Sequence, residues 1–451
     1  MEKKKFKLSS AILSVICVVF VAEAAAPVAA IGNSQYFWWI FMIVAFLLPY
    51  GLISAELGTS YTSDGGLVDW ITQAYGRKWG SRAAWYYWIN FPLWMASLAV
   101  MVPDLISMIT GIELGLVPGV LIQLAFVWIV VWISFYPVCD SIWILNGAAA
   151  IKVLLAVAIG CLGIYGMTQN GLANPFTFTD LLPSFDIDSL SLISVIIFNM
   201  LGFEVICTFA DDMENPSKQI PQAIIIGGIA IAAIYLFSAF GISAAIPFEE
   251  IGMASGLTDA FIILLNTETG PFIILVAFLF LLTLFGNMIS WSLGVNNTAC
   301  YAAEQGALPA VFAKRSAKND MPIGSAIMNG IVATVIVILG IFLGESDLFW
   351  AFFALNLVSF LSSYIMMFPS FLKLRKEDPE TPRVFKVPGN ETVLKILAYV
   401  PMALIIISII FTAVPLSFDP ETLAATLPIT IGTVAFLIVG EIIIAVKKIK
   451  D

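Results

Sequence analysis

The distribution of basic residues is the feature that most constrains the fold of this chain. About twelve apolar stretches follow one another, and all 21 Lys and Arg residues fall at the same end of this alternating series. The loops at the other end, such as residues 167–190 and 247–270, contain Asp and Glu but neither Lys nor Arg. Because basic loops stay on the cytoplasmic side of a membrane, the pattern predicts a polytopic membrane protein and its orientation.

The composition supports an all-α membrane protein and excludes a soluble domain. Apolar residues make up 60% of the chain, charged residues only 12%, and the mean hydropathy is +0.98. The net charge of −10 comes mostly from the acidic loops, so we expect no nucleic-acid partner. The chain has no His, which excludes a His metal site and a catalytic triad, and its five Cys are widely spaced. We therefore expect neither a metal nor a cofactor.

The hydropathy pattern predicts twelve helices with both termini in the cytoplasm, as in a protein of the bacterial inner membrane. The predicted helices span residues 9–31, 36–57, 83–111, 116–137, 143–168, 190–211, 221–246, 269–300, 324–344, 347–373, 394–415 and 424–447. Residues 1–373 would form a ten-helix core made of two repeats, at about 9–168 and 190–373. Residues 374–451 would supply a cytoplasmic loop and two peripheral helices. The sequence leaves the oligomeric state open.

Predicted helices 1 and 6 each carry a carboxylate within the apolar stretch. Glu23 is followed by Pro27, and Glu204 is preceded by Gly202; Pro and Gly both weaken a helix. Helix 6 follows helix 1 after five spans, as expected for two inverted repeats. Interrupted helices at matching positions of such repeats indicate a binding site near the bilayer midplane. The alternative is structural, with each carboxylate capping the other broken helix.

Asp104 is a third carboxylate, which we expect mid-span in predicted helix 3. A charge within a membrane is costly, so an ionisable residue there is by default a candidate functional residue. Because Asp104 follows Pro103, the alternative is a polar contact that stabilises a helix kink.

Four segments together resemble motifs of the amino acid–polyamine–organocation superfamily. Residues 54–66 read SAELGTSYTSDGG and residues 214–223 read ENPSKQIPQA. Residues 303–309 read AEQGALP and residues 382–389 read PRVFKVPG. The resemblance covers residues 10–390. It implies a leucine-transporter-type fold, in which two inverted five-helix repeats precede two peripheral helices.

Within that superfamily the chain departs from the amino acid carriers. Those carriers usually have a Gly-x-Gly segment in broken helix 1, whose backbone N–H groups hold the substrate carboxylate. Here residues 23–26 read EAAA, and no Gly precedes Gly32. The chain resembles instead the polyamine carriers and the bacterial agmatine/putrescine exchangers, with Glu23, Asp104 and Glu204 matching acidic residues in helices 1, 3 and 6. The resemblance implies a small cationic amine as substrate, because each buried ammonium needs a counter-charge.

Further candidates for the substrate site are aromatic or polar. Phe203, Trp291 and Phe360 are placed to contact a cation through their rings, with plain packing as the alternative. Asn287 and Asn356 are polar groups in apolar surroundings. They would bind substrate by hydrogen bonds or hold helices together.

Two charged residues are candidates for gating or coupling. Lys152 lies near the start of predicted helix 5, where some superfamily members have a Lys in place of a sodium ion. The alternative, which the sequence favours, is a Lys that reaches the cytoplasmic interface. Glu56 belongs to the first superfamily motif, so a gating or structural role is favoured over substrate binding.

The sequence therefore predicts a secondary transporter of putrescine- or agmatine-like amines that works by alternating access, through exchange or proton coupling. An amino acid permease of the same superfamily is the alternative. An enzyme is not expected, because no His and no paired Asp motif of an intramembrane protease is present. A channel or receptor is also disfavoured, since broken helices with buried carboxylates suit a saturable carrier better.

Overall fold

The computed structural model describes residues 8, 12, 16, 19–63, 65–137, 142–175, 177–203, 214–343, 347–417, 419–447 and 449. Within these residues the regular structure is helical, with no strand. The helices are α1 (Ala25–Ala29), α2 (Gln35–Ser60), α3 (Leu67–Tyr75), α4 (Arg77–Thr110), α5 (Leu116–Ile133), α6 (Ile142–Asn170), α7 (Ile187–Phe198), α8 (Pro216–Ala245), α9 (Gly256–Leu265), α10 (Pro271–Glu304), α11 (Ile323–Gly340), α12 (Leu348–Tyr364), α13 (Met367–Glu377), α14 (Glu391–Ala413) and α15 (Pro420–Lys447).

Ten helices in the described part of the chain are long and apolar enough to cross a membrane. They correspond to predicted helices 2–5 and 7–12, and α12 and α13 together form predicted helix 10. The remaining two predicted helices, 1 and 6, are the two that were expected to be interrupted. The structure is thus that of an all-helical membrane protein, while the count of twelve spans and the inverted repeat stay predictions.

Contacts between distant segments bring the start of α4 close to the end of α10 and the last part of α15. At the start of α4, the Arg77 guanidinium donates to the carbonyl of Gln305, just after α10. About one turn later, Arg82 forms a bidentate salt bridge with Glu441 near the end of α15. Its Nε lies 2.6 Å from Oε1 of Glu441 and its Nη2 lies 3.0 Å from Oε2. We call this end the basic side. The loops at residues 167–190 and 247–270 lie at the opposite ends of their helices, and we call that end the acidic side.

Helix α4 is the central element of the fold. It has 34 residues, which at about 1.5 Å per residue gives a length of roughly 50 Å. It packs against α12, α10 and α11, and it is buried along most of its length. Because α4 runs from the basic to the acidic side, a residue's position along α4 indicates its depth between the two sides, and so does the position on α4 that a residue contacts.

Candidate functional site

The first helix is interrupted two residues before Glu23. Phe20 and Val21 are not helical, and Val21 has extended backbone angles, φ −124° and ψ 106°. The interruption frees backbone groups that need partners within a membrane. Nζ of Lys152 donates to the carbonyl of Phe20 at 3.2 Å. The N–H of Val21 donates to the Tyr235 hydroxyl at 2.9 Å.

The interruption lies just before Glu23, whereas the helix-weakening residue noted in the sequence, Pro27, comes after Glu23. Pro27 occupies the third position of α1, within the first turn, where a backbone N–H has no partner inside the helix. A proline there is therefore compatible with the helix that follows the break. Glu23 itself lies in a short 3-10 turn, Ala22–Ala24, between the break and α1.

Within the sixth predicted helix, the described helical run ends before Gly202. Helix α7 ends at Phe198, and Gly202 has φ +95°, a conformation that other residues rarely adopt. The N–H of Gly202 donates to the Tyr50 hydroxyl at 3.1 Å. The Tyr235 hydroxyl lies 2.7 Å from Oδ1 of Asn199 and 2.8 Å from the Val21 carbonyl, one of which takes its proton. Tyr235 therefore joins the two interruptions.

Glu23 is the buried charge at the centre of this region, with only 2% of its surface exposed. Its Oε2 accepts a hydrogen bond from Nδ2 of Asn287 at 3.4 Å, whereas Oε1 has no partner among the described residues. Lys152, also 2% exposed, is close enough to attract it electrostatically. A buried carboxylate oxygen without a partner is costly, so the geometry suits a ligand that donates hydrogen bonds and carries positive charge.

Trp291 and Phe360 lie beside the interruption in the sixth helix. A Cβ atom placed on Gly202 would lie 3.5 Å from the Trp291 ring and 3.6 Å from Val19. The ring of Phe360 meets that of Trp291 edge-on, with centroids 5.6 Å apart. The structure thus brings these two predicted aromatics together, next to the helix that carries Glu23.

Phe360 also belongs to a buried aromatic group on the basic side of Trp291. Its ring centroid lies 5.8 Å from that of Tyr87 and 5.2 Å from that of Tyr364. One turn earlier on α12, Asn356 is fully buried, and neither its amide nitrogen nor its amide oxygen has a partner within the described residues. Oδ1 of Asn287 is likewise unpartnered there. Such buried polar atoms are candidates to contact water or a ligand.

Asp104 does not lie where the sequence placed it. Its side chain is exposed, and it lies six residues before the end of α4 on the acidic side. Trp94, whose ring contacts Phe198 at the end of α7, marks the level of the interruptions. Asp104 follows it by ten residues, or about 15 Å along the helix. Its charged neighbour is Asp259 on α9, which repels it.

Of the two predicted residues that follow Gly202, Phe203 lies within the described residues and Glu204 does not. Phe203 is fully buried directly after the interruption. Glu204 lies outside the described residues, as do the residues that follow it up to Met213.

Lys152 is an interior residue, so the expectation that it reaches the basic side is wrong. Its position near the start of α6 suggested an interfacial role, but α6 begins at Ile142, and ten residues of helix carry Lys152 about 15 Å inward. There its ammonium group bonds to the Phe20 carbonyl.

Comparison with known proteins identifies the family. The model of the amino acid permease family matches residues 6–440 of the chain. The chain belongs to the amino acid permease family. Membership confirms the superfamily resemblance and a multi-pass transporter rather than an enzyme.

Relatives of this permease transport amines or amino acids. A probable agmatine/putrescine antiporter of Lactococcus lactis is 64% identical over 99% of this chain and 96% of its own length. The putrescine transporter of Haemophilus influenzae is 23% identical over 77% of the chain and 79% of its own length. A glutamate/gamma-aminobutyrate antiporter of Lactococcus lactis is 22% identical over 82% of the chain and 76% of its own length.

Sequence reasoning missed Tyr235, Tyr50 and Asn199, which hold the two interruptions of this permease. Each is fully buried within or beside an apolar helix. The available signal was the one used for Asn287: a polar group within an apolar span needs a partner. That signal does not identify the partners, which are freed backbone groups for Tyr235 and Tyr50 and the Tyr235 hydroxyl for Asn199.

Glu56 lies apart from Glu23, in a buried ionic cluster on the basic side. Its carboxylate pairs with Arg375 at 3.1 Å and with Arg383 at 3.0 Å, and it accepts the N–H of Val387 at 2.6 Å. Hydrogen bonds, first from Thr381 and then from Tyr61, lower the pKa of the neighbouring Asp378 below its usual value. Glu56 thus ties α2 to the segment after α13.

Glu56→Gln should strongly destabilise the permease, because it leaves two largely buried guanidinium groups without their counter-charge. Breaking a buried pair in this way costs about 3–5 kcal/mol. Thermal unfolding of the purified protein should report a large drop in midpoint. Glu377→Gln removes an exposed carboxylate that pairs with Lys373 and is the matched control. Equal midpoints for the two variants would contradict this role for Glu56.

Proposed function

We propose that this permease transports cationic amines of the putrescine and agmatine type across the cytoplasmic membrane by exchange. The observation that carries the proposal is the buried Glu23 carboxylate at the first interruption, with one oxygen lacking a partner among the described residues. The name of the relative that is 64% identical points to the same substrates. A carboxylate in the segment where related amino acid carriers hold a substrate carboxylate would attract an amine and repel an amino acid.

The amine would bind between the two interruptions. One ammonium or guanidinium group would pair with Glu23, and the Trp291 ring beside it would add a cation–π contact of about 1–2 kcal/mol. The amide oxygens of Asn287 and Asn356 would accept hydrogen bonds from the rest of the molecule. Glu204, the carboxylate of the second interrupted helix, would supply the second counter-charge that a dication needs.

Asp104 would act on the access route rather than as the second substrate ligand. A four-carbon diamine has five covalent bonds between its nitrogens, each about 1.5 Å long. It therefore cannot bridge the roughly 15 Å of helix between the level of the interruptions and Asp104. The exposed Asp104 and the nearby Asp259 would instead attract a cation as it enters from the acidic side.

The leucine-transporter-type arrangement would account for the movement of substrate. In that fold the interrupted helices belong to matching positions of two inverted repeats, and the site opens to each side in turn. The basic side would face the cytoplasm, together with both termini. Lys152 would hold the first interruption in shape during this cycle and compensate Glu23 when no amine is bound.

Counterflow in proteoliposomes tests this function. Vesicles loaded with unlabelled putrescine should accumulate labelled putrescine, and agmatine should compete with it. Arginine and ornithine, which add an α-carboxylate, should compete at least tenfold more weakly than agmatine and putrescine, because Glu23 repels that group in a site with little water. Arginine competing as well as agmatine would contradict the proposal and favour an amino acid permease.

A further inference from the structure

An open cleft of about 540 Å³ lies on the acidic side, and none of the residues around Glu23 lines it. Its walls come from three segments: the chain that follows α1, the loop before α7, and Phe248 in the loop after α8. The volume falls within the range of small-molecule sites. The cleft is therefore large enough for a short diamine.

Hydrogen bonds fix the walls of this cleft. Nδ2 of Asn174 donates to the carbonyls of Ser243 and Ile246, both at 2.7 Å, and its Oδ1 accepts the N–H of Phe248 at 3.2 Å. Three of its hydrogen-bonding positions are thus used to join the loop before α7 to the loop after α8. The irregular chain around the cleft is held in one shape rather than left as an open loop.

Asp180 presents a carboxylate oxygen at the rim of the cleft. Its Oδ2 accepts the N–H of Thr177 at 2.7 Å and the Thr177 hydroxyl at 3.0 Å, which orients the group. Its Oδ1 has no hydrogen bond to any described residue. The Phe248 ring lines another wall, next to Glu249 and Glu250.

The chemistry of the lining suits an organic cation. A carboxylate oxygen can pair with an ammonium or guanidinium group, and an aromatic face adds attraction to a positive charge. The two loops that build the cleft carry no Lys or Arg, so no basic side chain from them competes for Asp180. Among the described residues that line the cleft, Asp180 alone is charged, so an anionic ligand would meet no basic side chain there.

The cleft also lies where the two interrupted helices meet on the acidic side. Ser189, near the start of α7, donates to the carbonyl of Ile31, just after α1, at 3.4 Å, and both residues line the cleft. A ligand there would contact the chain that leads from α1 and the chain that leads into α7. It would therefore lie against the segments that connect to the two interrupted helices on the acidic side.

We infer that this cleft is a second, outer binding site for the diamine, where the substrate waits before it enters the Glu23 site. The inference rests on the proposed amine transport, but it assigns a separate site with its own residues, Asp180 and Phe248. Since the Asp180 carboxylate is exposed to water, the site is a weak one.

Protection of an introduced cysteine tests the outer site independently of Glu23. Asn33 lines the cleft, so Asn33→Cys should react with a membrane-impermeant thiol reagent added from the acidic side. Putrescine should slow this labelling severalfold, and it should still do so in the Glu23→Gln background. Asp180→Asn should remove the protection in both backgrounds. Loss of protection with Glu23→Gln, or its survival in Asp180→Asn, would overturn the inference.

Transport kinetics provide the second test. Asp180→Asn and Phe248→Ala should raise the KM for putrescine offered from the acidic side by up to about fivefold, the range for an exposed ion pair. The KM from the basic side should not change. Glu113→Gln, which removes an exposed acidic-side carboxylate that does not line the cleft, should leave both values unchanged. Equal effects of Asp180→Asn and Glu113→Gln would mean that both carboxylates act only through general surface charge and not through a binding site. That result would contradict the inference.

If Glu23→Gln were to retain normal transport, the proposed central site would fail. The cysteine experiment would still decide the outer site, because its readout is labelling at Asn33 rather than transport. The two proposals can therefore fail separately.

Discussion

Glu23→Gln is expected to abolish measurable putrescine binding while the permease remains folded. The substitution keeps the size of the side chain and its ability to accept a hydrogen bond from Asn287, but it removes the buried negative charge. Losing one partner of a desolvated ion pair costs about 3–5 kcal/mol. Because about 1.4 kcal/mol corresponds to a tenfold change, the affinity should fall by roughly a hundredfold to a few thousandfold.

Equilibrium binding of labelled putrescine to the purified variants measures this effect directly. Asp104→Asn is the matched control, since it also removes a carboxylate from a membrane-spanning segment. Asp104 is exposed and lies on α4 about 15 Å beyond Trp94, which marks the level of the interruptions. The affinity of this control variant should stay within a few fold of the parent protein. If Glu23→Gln binds putrescine normally, or if Asp104→Asn loses as much affinity, Glu23 is not the counter-charge of the amine.

The positions of the long helices could be predicted from the sequence, because crossing a bilayer imposes a length and an apolar composition. Predicted helix 8, at residues 269–300, corresponds to α10, Pro271–Glu304, and predicted helix 9, at 324–344, to α11, Ile323–Gly340. The end of the helical run before Gly202 was also predictable, since the positive φ of Gly202 is a conformation that glycine adopts at little cost.

The depth and facing of single charged residues could not be predicted in the same way. Lys152 and Asp104 both lie within apolar stretches, yet one is fully interior and the other is exposed. What separates them is the partner: Lys152 meets the freed carbonyl of Phe20, a group that exists only because the first helix is interrupted there. Composition also does not reveal that Tyr235 and Lys152 compensate non-helical backbone at Phe20 and Val21.

For the aromatic and amide candidates, position in the structure has to be separated from role toward the substrate. Trp291, Phe360 and Asn287 lie near the interruptions. Their roles toward the substrate remain predictions, because their contacts with one another are equally compatible with packing. Variants that alter charge are therefore more decisive than variants that alter ring size.

Lys152→Met should reduce putrescine exchange by roughly a hundredfold or more. The change removes the ammonium that bonds to the Phe20 carbonyl and that attracts Glu23 in the buried interior. A carbonyl within the membrane would lose its donor, and Glu23 would be left uncompensated in the empty site, at a cost of about 3–5 kcal/mol. Lys152→Arg keeps the charge and should retain more activity, and Lys218→Met, at the start of α8, controls for the loss of one lysine.

A double-mutant cycle on stability shows whether Lys152 and Glu23 act on each other. Each single variant, Lys152→Met and Glu23→Gln, removes one of two opposite buried charges that attract each other, so each should lower the unfolding midpoint. The double variant removes both charges and should recover most of that loss, because neutral side chains of similar size carry little of the desolvation cost. Two losses that simply add, as they do for distant sites, would mean that Lys152 supports the interrupted helix through the Phe20 carbonyl alone and does not compensate Glu23.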